Sequence, residues 1–380
     1  MSSPVYLDFN ATTPVAPEVL EAMLPYLRDH FGNPSSAHSL GRRAAEAVAE
    51  ARDRMAALLG ARPGEIVFTG CATEASNLAL IGAALAMPPG KRHLVVSAVE
   101  HPAVMAPAQQ LCKQGWELTV VPVDGTGRVS VQAVADALRA DTALVSVMHA
   151  NNEVGTVQPI EAIAEMTRRR GVLLHTDAAQ SVGKMALAVD ALGVDLLSVA
   201  GHKFYAPKGV GALYVRTGTP LQAVLFGAEQ ERSLRPGTEN VAGIVGLGAA
   251  AALAQQGLPH LIDELRQRRD LLHERLARSI PGLLLNGHPE QRLPSTLNVS
   301  FPGVIGRALL HAVADSVAAS VGSACHSEHD AVSGVLAAMG MDAARAAGAV
   351  RLSVGRTTRE EDIHRAADCL VAAWQRMLAA

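Results

Sequence analysis

Short apolar runs recur along the first two thirds of the chain, and helical patterns separate them. The runs are 65-EIVFT, 93-HLVVSAV, 117-ELTVVPV, 143-ALVSVMH, 172-VLLHTD, 194-VDLLSVA and 210-VGALYVR. Between them stand alanine-rich stretches such as 73-TEASNLALIGAALA and 159-PIEAIAEMTRRRG. Strands rich in Val and Leu, spaced by helices, predict βαβ units and a mostly parallel sheet covered on both faces, hence an α/β fold. Ligands bind such sheets outside the carboxyl ends of the strands, which says where the chemistry should sit.

After about residue 240 the pattern changes. A long helical stretch, 242-AGIVGLGAAAALAQQG into 259-PHLIDELRQRRDLLHERLARSI, leads to strand candidates 296-TLNVSF and 349-AVRLSVG. Helices near 305–313 and 360–379 alternate with them, which predicts a smaller α+β domain. With 380 residues, 49% of them hydrophobic, the chain has material for two cores.

Composition removes several function classes. There are 33 basic and 36 acidic residues without a basic block, and 3% aromatic residues, so nucleic acid is not the expected partner. No long apolar run free of charge predicts a membrane span, and MSSPVYLDFN does not read as a signal peptide. Cysteines at 71, 112, 325 and 369 are too scattered for a disulfide framework, so a reducing, cytoplasmic setting is expected.

The residues after each strand carry the candidate chemistry. After 65-EIVFT comes 70-GCATEASN, a turn opening a helix at Thr73. Its N–H groups suit a phosphate, although a plain N-cap by Thr73 accounts for the same residues. After 93-HLVVSAV stands Glu100-His101-Pro102, where a histidine can stack on a ring, move a proton or simply be structural. Asn151 and Asn152 follow 143-ALVSVMH, an ordinary turn pair that can also donate to a carboxylate. The strand 172-VLLHT ends in Asp177. A buried carboxylate there is costly without a positive partner, and a pyridinium N–H is such a partner. The strand 194-VDLLSVA ends in Gly201-His202-Lys203. That lysine is either a snorkelling surface residue or a functional amine with a lowered pKa. Each signal is weak alone. Together, in order, they match the needs of pyridoxal 5'-phosphate (PLP): a phosphate turn, a ring neighbour, an acid for the ring nitrogen and a Schiff-base lysine.

The sequence resembles the PLP-dependent cysteine desulfurases and selenocysteine lyases of the class-V aminotransferases over nearly its whole length. The motifs are 6-YLDFNATTPVAPEV, 32-GNPSSAHSLG, 68-FTGCATEASN, 100-EHPAV, 150-ANNEVGTVQPI, 175-HTDAAQSVGK, 201-GHKFYAPKGVGALYVR, 235-RPGTENVAGIVGLG, 323-SACHS and 351-RLSVGRTT. The resemblance implies the type-I aminotransferase fold. A large PLP domain would span 15–258, with a seven-stranded, mostly parallel sheet. A smaller α+β domain, from 1–14 and 259–380, would carry a catalytic cysteine loop. It also implies a homodimer with both active sites at the interface.

By motif, the resemblance implies that Lys203 is the Schiff-base lysine, His101 stacks on the cofactor ring, Asp177 pairs with the pyridine nitrogen and Gln180 reaches the phenolic oxygen. It assigns Thr73 and His202 to the phosphate, with Thr238 arriving from the other subunit. Asn33, Asn152 and Arg351 would grip the substrate carboxylate, and Asn152 would also border the cofactor. A fork-shaped arginine suits that anion. Cys325 would take sulfur from L-cysteine as a persulfide, release L-alanine and pass the sulfur to an acceptor protein. The rival implication is a selenocysteine lyase, releasing selenide from L-selenocysteine. The run 324-ACHSEH resembles that subgroup, whereas Pro102 resembles the desulfurases, and the desulfurase reading leads.

Three departures from the family pattern stand out. Ala200 replaces a serine often used for phosphate. Glu229 in 227-GAEQE replaces glycine. The loop 331-AVSGVL lacks the usual proline and should be more mobile. A free thiol has a pKa of about 8.5, so Cys325 needs activation, for which a charged His326 is the candidate. Zinc on Cys325, His326 and His329 does not fit the usual spacing of a structural site, and no metal is expected. A transaminase on the same fold would have no need of this cysteine. A catalytically silent scaffold would not need the intact set of Lys203, Asp177 and His101.

Overall fold

A computed structural model describes residues 3–322 and 333–379 of the chain. In chain order the strands are β1 (Val5–Tyr6), β2 (Ile66–Thr69), β3 (His93–Ser97), β4 (Glu117–Val121), β5 (Thr142–Ser146), β6 (Leu173–Asp177), β7 (Leu196–Ala200), β8 (Gly211–Val215), β9 (Leu284–Asn286), β10 (Thr296–Ser300), β11 (Val317–Ala318) and β12 (Ala349–Ser353). The seven from β2 to β8 make one sheet in the order β2-β8-β7-β6-β5-β3-β4. Its pairs are parallel except that β8 runs antiparallel to both β7 and β2. All seven runs expected as strands lie in this sheet. The order reverses between β3 and β5, which opens a crevice over the strand ends.

The inner strands are buried on both faces, which explains their unbroken apolar look. β4 is an edge strand, and Glu117 and Val120 on it are exposed. The interior also holds polar residues that the apolar pattern conceals. His93 bridges the hydroxyls of Thr142 and Thr119, each at 2.8 Å. His175 bridges Ser146 at 2.8 Å and Ser198 at 2.9 Å. Ser198 also meets Ser76 at 3.0 Å, on the helix Ala72–Ala86. Such groups are tolerated inside because each has a partner.

Helices cover both faces. Ala72–Ala86 and Pro102–Cys112 pack on one, burying Leu78, Val104 and Leu111 against Val67, Leu94 and Leu144. Ser39–Leu59, Ile160–Arg169 and the first half of Val241–Ser279 cover the other, around Met55, Ile163 and Leu247. The helix Val241–Ser279 continues without a break through Pro259, which is exposed, so water can serve the carbonyl that loses its partner. Among the described residues it is a helix long and apolar enough to cross a membrane, yet 56% of its most apolar window is buried inside the molecule.

Its second half belongs to another core. There Leu265, Leu272 and Leu276 pack with Phe301, Leu352, Leu370 and, from the other end of the chain, Val5 and Leu7. The antiparallel sheet β12-β10-β9 and the parallel pair β1-β11 frame this core.

Candidate active site

A cavity of about 290 Å³ opens at the carboxyl ends of β3, β5, β6 and β7. It is lined by Asn10, Thr73, His101, Asn152, Asp177, Gln180, Ala200, His202, Lys203 and Arg351, among others. Eight of the eleven singled-out residues therefore meet in one place.

One end of the cavity begins where β2 stops. Cys71, in extended conformation, is the N-cap of Ala72–Ala86, and its side chain makes no capping bond. This corrects the alternative in which Thr73 caps: Thr73 lies inside the first turn. The first N–H groups of a helix have no intrahelical acceptor, and those of Ala72 and Thr73 border the cavity. The turn is pressed against β8. A Cβ on Gly211 would stand 2.8 Å from the Cys71 carbonyl carbon and 3.1 Å from the Ala72 nitrogen, so only glycine fits. Glu74 does not spoil the site for an anion, because its carboxylate is engaged elsewhere. It accepts from the Gly70 N–H at 2.9 Å and from Arg235 at 2.8 Å.

His101 caps the next helix, and its Nδ1 accepts from the Ala103 N–H at 3.1 Å. In the neutral ring the proton is therefore on Nε2. Burial holds this imidazole below its usual pKa, against the pull of Asp177. Asp177 closes β6 and is 5% exposed. One carboxylate oxygen accepts from the Ala179 N–H at 2.9 Å. Burial pushes its pKa up, and that hydrogen bond, His101 and Lys203 only partly oppose the push.

Lys203 follows β7 in a single turn, Gly201–Lys203. Its Nζ donates to the carbonyls of Asn10 at 2.5 Å and Ala11 at 2.7 Å. Two residues on, Tyr205 has a φ of 72°, which is strained for a residue with a side chain. Three contacts hold it there. Its N–H donates to the Thr13 hydroxyl at 2.8 Å, its carbonyl accepts from Ala16, and its phenol oxygen accepts from the Arg356 N–H at 2.6 Å. His202 meets the Thr12 hydroxyl through Nδ1 at 3.1 Å. Burial and the nearby Lys203 push its pKa down to about 4, so it stays neutral near pH 7.

Arg351 comes from β12, in the second core, and reaches across to the same cavity. It donates to the Asn152 carbonyl at 3.0 Å and to the Asp8 carboxylate at 2.8 Å. Gln180 donates to the Asn10 carbonyl at 2.9 Å and accepts from Lys184 at 3.0 Å. Asn33 and Thr238 are exposed and do not line the cavity. Cys325, with His326 and His329, lies outside the described residues.

The model of the class-V aminotransferases matches residues 5–366. The chain belongs to the class-V aminotransferase family. Within it, the chain is 44% identical over 371 residues to the cysteine desulfurase IscS of Dictyoglomus turgidum, covering 97% of this chain and 94% of that protein. Among solved structures, a NifS-like protein superposes with a TM-score of 0.91 at 37% identity, and 99% of each chain is covered. SspA in complex with cysteine superposes with a TM-score of 0.81 at 37% identity, covering 93% of this chain and 99% of that one. The fold is thus that of the NifS-like class-V aminotransferases, in line with the expected mixed α/β architecture.

Three residues of this class-V site escaped the reading of strand ends: Asp8, Asn10 and Lys184. The first two lie in the quoted segment 6-YLDFNATTPVAPEV, ahead of the first strand of the main sheet. Lys184 lies in a turn beyond Asp177, in 175-HTDAAQSVGK.

Proposed function

We propose that the protein is a PLP-dependent cysteine desulfurase, which converts L-cysteine to L-alanine and holds the sulfur as a Cys325 persulfide for an acceptor protein. The observation that carries this reading is the meeting of Lys203, Asp177, His101, Arg351 and an open helix N-terminus in one cavity.

The donor set fits the cofactor. Asp177 is a buried carboxylate whose raised pKa marks the want of a cationic partner, and a protonated pyridine nitrogen supplies one. The first turn of Ala72–Ala86, with Thr73 and neutral His202, would hold the phosphate. Because Ala200 brings no hydroxyl, the backbone N–H groups carry more of that task. His101 would cover the ring, Gln180 would meet the phenolic oxygen and Asn152 would border both cofactor and substrate. When bound, PLP supplies an electron sink for the substrate α-carbon.

The chain's own residues do the rest. Arg351, already oriented by Asp8 and the Asn152 carbonyl, takes the substrate carboxylate, with Asn152 beside it in the same cavity. The Lys203 amine removes the α-proton. The Cys325 thiolate attacks the substrate sulfur. A sulfur–sulfur bond forms as the carbon–sulfur bond breaks, and the electron pair left on the β-carbon takes a proton, with His101 the donor in reach. His326 is the candidate that raises the thiolate fraction of Cys325.

The apolar residues Phe226 and Phe31 are 89% and 73% exposed, and Thr238 and Asn33 are exposed as well. Large apolar side chains left in solvent support a homodimer, in which Thr238 would reach the phosphate of the partner's cavity. The core around Leu265, Phe301, Leu352, Val5 and Leu7 supports the domain division at 15–258 against 1–14 with 259–380, and a smaller cluster of Val99, Met148 and Val154 with Val335, Leu336 and Met339 packs the two parts together. The thiols of Cys71, Cys112 and Cys369 are free, in keeping with a reducing, cytoplasmic setting. The desulfurase name of the relatives favours sulfur over the selenide of a selenocysteine lyase.

The test is Cys325→Ala with L-cysteine as substrate. Sulfide released under reducing conditions falls to background while PLP still binds. Undiminished sulfide release contradicts the persulfide step.

A further inference from the structure

Lys184 has no task in the reaction above, yet it is 4% exposed. A buried amine is costly unless something holds it. The charges it feels are cations, Lys203 and Arg351, and with burial they push its pKa down to about 7. His202 in turn feels the charge of Lys184. The side-chain hydrogen bond of Lys184 goes to the Gln180 Oε1 at 3.0 Å.

That bond fixes more than the lysine. An amide can lie either way round, presenting its oxygen or its nitrogen to a neighbour. Here both neighbours constrain it. Lys184 donates in this contact, so the side of the amide facing it is the oxygen. The Asn10 carbonyl only accepts, so the side facing it, at 2.9 Å, must be the nitrogen. The same carbonyl accepts from Lys203 at 2.5 Å, which makes a chain from Lys184 through Gln180 and Asn10 to Lys203. Gln180 lines the cavity, and its nitrogen has a second hydrogen to offer there.

We propose that Lys184 is a positioning residue: by donating to Gln180 Oε1 it turns the amide so that an N–H, not a carbonyl, faces the anionic phenolic oxygen of the cofactor. The proposal rests on the PLP reading of the site. A reversed amide would set one oxygen against another, and an unanchored one would spend part of its time reversed. A donor to the phenolic oxygen makes it harder for the Lys203–cofactor linkage to keep its proton. Removing Lys184 therefore raises the pH at which that linkage titrates.

The test is the visible absorbance of the PLP-loaded protein, titrated from neutral to alkaline pH. Wild type is compared with Lys184→Met, Gln180→Ala and the double variant. Lys184→Met is expected to raise the midpoint by about one pH unit, the scale of a lost hydrogen bond to a charged group. In the Gln180→Ala background the same change adds clearly less. Lys184→Gln, which keeps an N–H donor at the position, recovers part of the wild-type midpoint. An unchanged midpoint in Lys184→Met, or an equal shift in both backgrounds, overturns the proposal. If Lys184→Met does not fold, the apolar pair Gln180→Leu with Lys184→Leu takes its place. It removes both members of the Gln180–Lys184 hydrogen bond together, and its midpoint should match that of Gln180→Ala; a wild-type midpoint there overturns the proposal. Failure of the wild type to take up PLP would instead overturn the functional reading.

Discussion

The floor of the cavity and the loop from 225 to 240 are built on opposite terms. On the floor, this chain satisfies its own groups: Lys203 rests on two carbonyls, Gln180 lies between Asn10 and Lys184, and Arg351 is paired with Asp8. The loop is held at its base and bare at its tip. Glu231, Arg232 and Ser233 follow one another with φ of 47°, 60° and 61°, a costly run for residues with side chains. Glu231 offsets that cost with a buried carboxylate. It takes both terminal nitrogens of Arg52, at 2.8 and 2.6 Å, and the Phe68 N–H at 2.8 Å. Arg235 adds an ion pair to Glu74 at 2.8 Å. Beyond these anchors Phe226 and Thr238 face solvent. The difference teaches that folding of one chain prepares the floor, whereas the tip of the loop is left facing solvent.

If the floor is preorganised, an isosteric change there costs most. Asp177→Asn removes the charge that would pair with the pyridine nitrogen, and activity on L-cysteine should fall by about 10²- to 10³-fold. Steady-state alanine production measures it, and a loss of less than tenfold would break the contrast with the loop.

Acid should act through buried and half-buried histidines, one at the cavity and two outside its lining. His175, His149 and His202 are neutral inside, with pKa values pushed down to about 3, about 4 and about 4 by burial. The ordinary value is 6.5, so below it the unfolded chain binds protons that the folded chain refuses. Stability is unaffected by these groups above pH 6.5 and falls as pH drops toward their folded values. Glu100 acts in the opposite sense. Its pKa is raised to about 8 by burial, so it disfavours the folded state progressively from pH 4.5 upward. Three histidines outweigh one glutamate in the range they share. Chemical denaturation should therefore show a loss on the order of a few kcal/mol between pH 6.5 and pH 4, with the optimum near pH 6.5. A flat profile would show that these groups titrate alike in both states.

The loop should give the smallest effect. If Thr238 meets the cofactor phosphate in a partner's cavity, Thr238→Ala should weaken PLP binding by about tenfold and leave the fold intact. Sharper evidence comes from mixing this variant with Lys203→Ala. If Thr238 serves the partner's cavity, one of the two sites in the mixed dimer has both its own Lys203 and the partner's Thr238, and it keeps full affinity.

Much of the floor was legible because buried parallel strands are apolar throughout, so a polar residue at a strand end is conspicuous. His101, Asp177 and Lys203 are visible that way. Arg351 was not legible from that rule. It comes from β12, in the other core, and only the family motif pointed to it. Asn10 and Lys184 were hidden because nothing local distinguishes them. One lies in an N-terminal loop that crosses to Lys203, and the other looks like a surface lysine until Gln180 is seen to cover it. The polar bridges of His93 and His175 were read as ordinary strand positions, since a run of five residues does not show which hydroxyls face each other across the sheet. The strands β1, β9 and β11 are too short to give a period. The N-cap at Cys71 was missed because its side chain contributes no cap bond, leaving Thr73 as the more familiar capping residue.

The central claim is that Lys203 is the working amine of a PLP site that takes sulfur from L-cysteine. The most direct measurement is the yield of alanine from L-cysteine, with PLP supplied, for wild type and Lys203→Ala. The wild type should form alanine and transferable sulfur in equal amounts, and Lys203→Ala should fall by at least about 10⁴-fold, the upper range for loss of a general base. Wild-type protein that forms no alanine, or a Lys203→Ala variant that keeps its rate, would contradict the account.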